Sequence, residues 1–122
     1  MTTDIDRQIA EKVMGWKYYY KKNGYSDPEY RDAKNIFVAD VYGWHPTSNI
    51  EQAMMVLERM IELGYGDCSL IRMYKTEEWV VGFYKNEDGL GWVGSYTRGK
   101  SLPVVICEAA LKAVESVESI GD

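Results

Sequence analysis

The chain has 122 residues, 46% of them hydrophobic and 27% charged, with a formal net charge of -5 at pH 7. That length predicts a single domain, 1–122, able to bury a core without disulfide or metal staples. The acidic balance argues against a nucleic-acid polymer as partner, because Lys and Arg supply that affinity by neutralising phosphates, and no apolar run approaches the roughly 18 residues of a membrane span.

Thr2, Thr3, Asp4 and Asp6 occupy the N-terminus where a signal peptide needs a basic and then an apolar region, so a cytoplasmic protein is expected. Cys68 and Cys107 are far apart and lack CxxC or Cys/His spacing. Reduced thiols are therefore expected, with no metal site and no cofactor.

The first helix is predicted to start near Thr3, which has capping-box spacing to Asp6, and to carry Ile5, Ile9, Val13 and Trp16 at helical intervals. Gly15 and Trp16 mark its end. Residues 17–40 hold Tyr18, Tyr19, Tyr20, Tyr25 and Tyr30 among Lys17, Lys21, Lys22, Arg31 and Lys34, with no regular element assigned. The second helix follows Trp44, His45 and Pro46, with Ser48 as cap and Glu51 completing an S-x-x-E box. Ile50, Ala53, Met54, Leu57, Met60 and Ile61 form its apolar stripe, and Gly64 its stop.

Beyond Asp67 the period changes to alternation, which predicts strands at Ser69 to Lys75, Glu78 to Lys85 and Leu90 to Thr97 in an antiparallel meander. The turn Asn86-Glu87-Asp88-Gly89 joins the last two. Trp79, Val81 and Phe83 face one way and Val80 and Tyr84 the other, so both faces are apolar. The expected class is α+β, an antiparallel sheet covered by helices on both faces as an α/β/α sandwich. A last helix from Leu102 tolerates Pro103 in its first turn and buries Ile106, Cys107, Ala110, Val114 and Val117.

Catalytic signatures are sparse. His45 is the only histidine and has no nucleophile or carboxylate partner in sequence, so a structural or solvent-facing role is expected. The spelling G-x-x-x-x-G-K-S is present from Gly94 to Ser101, but Gly94 falls inside a strand of an antiparallel meander. A phosphate loop needs its glycines in the turn between a parallel strand and a helix. Glu77-Glu78 and Glu87-Asp88 sit at a strand end and a turn, where solvated charge is the ordinary reading. No enzyme activity is expected.

Arg98, Lys100 and Ser101 precede the last helix, where free backbone N–H groups and the helix dipole favour an anion. Phe83, Trp92 and Tyr96 lie on neighbouring strands and could stack a purine. These six are the candidate ligand-binding residues. A merely solvated basic loop and an aromatic core stripe remain open alternatives.

Two end segments carry a resemblance: Asp6-Arg7-Gln8-Ile9-Ala10-Glu11-Lys12-Val13-Met14-Gly15-Trp16, and Leu102-Pro103-Val104-Val105-Ile106-Cys107-Glu108-Ala109-Ala110-Leu111-Lys112-Ala113-Val114. With Pro46-Thr47-Ser48-Asn49-Ile50 ahead of the middle helix, the chain resembles the phage ABA sandwich family. Within that group it looks like the Thoeris anti-defence sponges, phage proteins that bind a cyclic ADP-ribose isomer without cleaving it. The resemblance implies a small cyclic nucleotide as partner, a homo-oligomer with pockets at subunit boundaries, and the cytoplasm of a host bacterium. The alternative is an accessory structural or interaction protein that uses the Tyr-rich segment as its surface and takes no small ligand.

Overall fold

The computed structural model describes residues 2–20, 27–89 and 91–121, with side chains described at 5–20, 27–89 and 91–116. Among these residues the chain forms a single α+β domain of three α-helices and two three-stranded antiparallel sheets.

Helix α1 (Thr2–Gln8) runs directly into a π-helical turn at Ile9–Val13. The wider turn is closed by Met14 N–H donating to the Ile9 carbonyl at 2.9 Å, and it turns Ile9, Ala10 and Val13 inward together. Gly15, at φ +76°, ends the helix where the sequence places its stop. The start differs slightly, since helical backbone already begins at Thr2. The Thr3 side chain lies outside the described residues.

The Tyr-rich segment, to which the sequence reading gave no element, folds into a sheet of β1 (Lys17–Tyr19), β2 (Glu29–Arg31) and β3 (Phe37–Asp40). Tyrosine suits such a half-buried pleated surface. Tyr18 pairs with Tyr30, and Tyr30 in turn with Ala39. The β2–β3 turn is fastened by the Asp32 carboxylate, which accepts from Lys34 N–H at 2.9 Å and Ile36 N–H at 3.0 Å. A single-turn 3₁₀ helix, Val41–Gly43, then leads to α2 (Ile50–Glu62).

The cap of α2 is Asn49 rather than Ser48: its side chain accepts from Gln52 N–H at 3.1 Å, so the helix starts one residue later than the S-x-x-E spelling suggests. Its buried ridge is Ala53, Val56 and Met60. Ile50, Met54 and Ile61, expected in the same buried stripe, are exposed.

The second sheet is the expected meander, β4 (Asp67–Met73), β5 (Glu78–Glu87) and β6 (Gly91–Gly99). Helix α3 (Leu102–Gly121) packs on β5 and β6, while α2 and the N-terminal helical segment pack on α3. Helix α3 is thus the central layer. Its small residues Ala109, Ala110 and Ala113, all buried, let neighbours approach on more than one side. Val117 lies outside the residues with described side chains. Val81 and Phe83 of β5 and Val93 and Thr97 of β6 are buried on the side of the sheet that faces α3. Thr97 Oγ1 donates to the Val105 carbonyl at 3.0 Å, tying strand to helix. The opposite face carries Trp92 and Tyr96, 64% and 58% exposed.

Both cysteines are free. Burial, then the negative charges of Asp6 and Glu108, push the Cys107 thiol up to about 12. The expected result is that iodoacetamide at pH 8 leaves Cys107 unmodified in the folded protein and labels it on denaturation. Mass spectrometry of tryptic peptides reads this directly, and labelling of Cys107 in native protein would contradict it. No described helix is long and apolar enough to cross a membrane.

Candidate functional site

The six residues singled out by sequence do not converge on one site. Phe83 is fully buried beneath α3 and is a core side chain, so no ligand can stack on it without unfolding the sheet. Trp92, Tyr96 and Arg98 share the other face of β6, opposite Asn86, Gly82 and Val80. Trp92 and Arg98 are six strand residues apart, or about 20 Å, which separates them beyond one small ligand. Lys100 and Ser101 are exposed after the strand, and the Ser101 carbonyl accepts Val105 N–H at 2.9 Å as α3 begins. Gly94 and Gly99 both lie within β6, antiparallel to β5, so the phosphate-loop spelling is not a phosphate loop.

Arg98 is already engaged. Its guanidinium donates to Glu78 at 2.8 Å and, with further help from Thr76 and Lys100, holds that carboxyl below the usual carboxylate range. Because the charged form is favoured, Arg98→Ala is expected to raise the Glu78 midpoint toward the ordinary value of about 4.3. Carboxyl-carbon NMR titration of the two proteins checks this, and an unmoved midpoint would remove the pair.

A more enclosed site lies where the Tyr-rich sheet meets the N-terminal helix and the chain entering α2. Tyr18, Tyr30, Tyr42 and Trp44 wall a cavity of about 260 Å³, with Pro28 and Val41 filling in and Asp6, Arg7 and His45 supplying the charged and polar edge. A larger hollow of about 370 Å³ beside Trp92, Tyr84 and Lys85 is shallow and open to solvent.

Local packing fixes the aromatic walls. Trp16 lies edge-on to Trp44 at 4.7 Å between ring centroids and 6.0 Å from Tyr30, while Tyr18 meets Tyr30 at 6.4 Å and 71°. Trp44 Nε1 donates to the Asp6 carbonyl at 3.1 Å. The side chain of Gln52 clasps the same stretch from α2, accepting His45 N–H at 2.6 Å and donating to the Gly43 carbonyl at 2.7 Å. These are rigid rings on fixed backbone.

The polar edge is equally well held. The buried Asp6 carboxylate accepts Thr47 N–H at 3.0 Å, and its other oxygen lies 3.8 Å from His45 Nδ1. His45 Nε2 is hydrogen-bonded to the Tyr42 carbonyl. Arg7 lies 4.4 Å over the Tyr18 ring and is oriented by Glu11 at 2.9 Å. Burial pushes the Tyr30 phenol up, while nearby Arg7 acts in the opposite sense. The phenol stays protonated at neutral pH.

Sequence reading missed this site because its parts come from three separated segments. The available signals were the density of tyrosines after Lys17 and the Trp44-His45-Pro46 run before the α2 cap. Among the described residues no group of three His, Cys, Asp or Glu side chains is placed to hold a metal ion.

The sequence matches the Phage ABA sandwich domain over residues 7–111, a span that begins at the cavity edge and ends inside α3. Neither the curated proteins nor the solved structures offer a match.

Proposed function

The chain belongs to the Phage ABA sandwich domain family, and from that premise we propose that it is a phage anti-defence protein that binds a small cyclic nucleotide and withholds it, uncleaved, from a host effector. A cyclic ADP-ribose isomer is the ligand of first choice, in the cytoplasm of the host. The observation that carries this reading is the aromatic cavity with Arg7 at its edge. The exposed rings of Tyr18 and Tyr42, with Tyr30 and Trp44 buried behind them, offer stacking to a nucleobase, and a guanidinium suits a phosphate.

Size constrains how such a ligand sits. At about 260 Å³ the cavity falls just below the roughly 300 Å³ at which small-molecule pockets begin. It admits the base and leaves the riboses and pyrophosphate of a cyclic ADP-ribose at the mouth. A second copy would complete the enclosure, and a second copy laid on the Trp92 and Tyr96 face would also supply the missing outer layer of an α/β/α sandwich. The protein is accordingly proposed to be a homo-oligomer. Arg98, Lys100 and Ser101 form a secondary cationic edge in this arrangement.

The test is incubation with a panel of cyclic nucleotides and ADP-ribose isomers, filtration, heat denaturation and analysis of what is released. Intact ligand is expected. Arg7→Ala and Tyr18→Ala should each weaken retention by at least about tenfold, the loss of one charge-assisted contact or one stacked ring. Arg98→Ala separates the two edges: unchanged affinity keeps the site in the cavity, whereas a comparable loss moves it to the end of β6. Altered ligand would mean an enzyme. No retention at all would favour an interaction protein, a reading to which the exposed Ile36 and Phe37 of the Tyr-rich segment lend support.

A further inference from the structure

Helix α2 presents two apolar surfaces, and its fold uses only one of them. Ala53, Val56 and Met60 are buried against the rest of the domain. Ile50, Met54, Leu57 and Ile61 form a second line, spaced four, three and four residues apart. At 3.6 residues per turn these four fall within about 60° of one another, on a face turned about 90° from the buried ridge. Ile50, Met54 and Ile61 are 44%, 39% and 50% exposed, and only Leu57 leans partly on the core.

A 4-3-4 spacing is the repeat with which one helix meets another along a straight seam, since it keeps successive side chains facing a single partner helix. The seam runs about 16 Å, three turns. Its solvent-side border is acidic: Glu51 and Glu58, one residue after Ile50 and Leu57, are both exposed.

We propose that this seam is a docking surface for an amphipathic helix of a partner protein, one whose apolar stripe is bordered by Lys or Arg. Charge complementarity selects this occupant over a second copy of the chain. Two α2 helices packed antiparallel would set Glu51 and Glu58 of one copy against the same residues of the other, and like charges at those border positions are repulsive. A basic helix converts the same border into favourable pairs. The ligand cavity plays no part in this inference.

The probes are two synthetic helices with the same leucine seam, one bordered by lysines and one by glutamates, each carrying a fluorophore for anisotropy. The lysine-bordered helix is expected to bind and the glutamate-bordered one is not. Met54→Asn with Ile61→Asn should weaken binding at least about tenfold while far-UV circular dichroism is unchanged, since these side chains are exposed. Glu51→Lys with Glu58→Lys should reverse the preference between the two probes. Equal binding before and after the Met54 and Ile61 changes would show only bulk attraction to an acidic protein and would overturn the proposal. So would absence of binding, or a sedimentation result in which the same Asn substitutions split an oligomer, because a second copy would then occupy the seam.

Discussion

Gly94→Ala is expected to destabilise the fold by about 3 kcal/mol or more, a large share of the roughly 5 to 15 kcal/mol that holds an ordinary domain folded. Gly94 has φ +147°, and a Cβ built there would sit 2.0 Å from the Phe83 carbonyl oxygen and 2.8 Å from the Tyr84 Cα. Both obstacles are backbone of the paired strand, so no side-chain rotation relieves them. Strand β6 would have to part from β5, and with it the surface on which α3 packs. Gly89 provides the comparison: it too has positive φ, +82°, but nothing lies within 4 Å of its would-be Cβ. Gly89→Ala should therefore cost only the left-handed penalty of about 1 to 2 kcal/mol. Urea unfolding of both variants checks the ranking, and equal midpoints would refute the close-approach account of Gly94.

Phe83→Ala is expected to cost about 3 to 5 kcal/mol, the range for emptying a fully buried aromatic site, and to lower Tm by about 10 °C or more. The side chain lies on the helix-facing side of β5 among Val81 and the buried residues of α3. Phe83→Leu, which keeps most of the volume, should cost less than about 1.5 kcal/mol. The pair also separates core from ligand contact. A stacking role would make Phe83→Leu lose nucleotide retention in a protein that melts near normally, whereas a core residue leaves retention unchanged.

The features legible in the sequence are those in which chemistry acts between residues near one another. The alternation from Asp67 onward gave the meander and the facing of Trp79, Val81 and Phe83 against Val80 and Tyr84, because strand pleating has a fixed period of two. Gly15 and the α2 entry were legible to within a residue. The competing cap acceptors at Ser48 and Asn49 differ in sequence by one position, and only the backbone conformation decided for Asn49.

What sequence could not fix was which of several apolar surfaces each element buries. The stripe on α2 mixed two surfaces, because Ala53 and Met60 sit only about a quarter turn from Met54 and Ile61, within the breadth of an ordinary apolar stripe, and only the position of α3 separates the covered ridge from the open seam. Likewise, two apolar faces on the meander suggested helices on both, yet α2 and the N-terminal segment pack on α3 rather than on the strands. The Tyr-rich segment has weak alternation over three- and four-residue strands, too short for a period to declare itself, so its sheet depends on pairing across the chain.

The sequence by itself determined the family, the single α+β domain, the place of each helix to within a residue or so and the meander, because caps, glycines and periodicity act over a few residues. Tertiary structure alone decided the rest. Asp6 and Arg7 from the first helix, Tyr18 and Tyr30 from the first sheet, and Trp44 and His45 from the approach to α2 enclose one cavity. Contacts between segments so far apart depend on how ridges and sheets stack in three dimensions, and that stacking is a property of volumes and facing surfaces which no local pattern encodes.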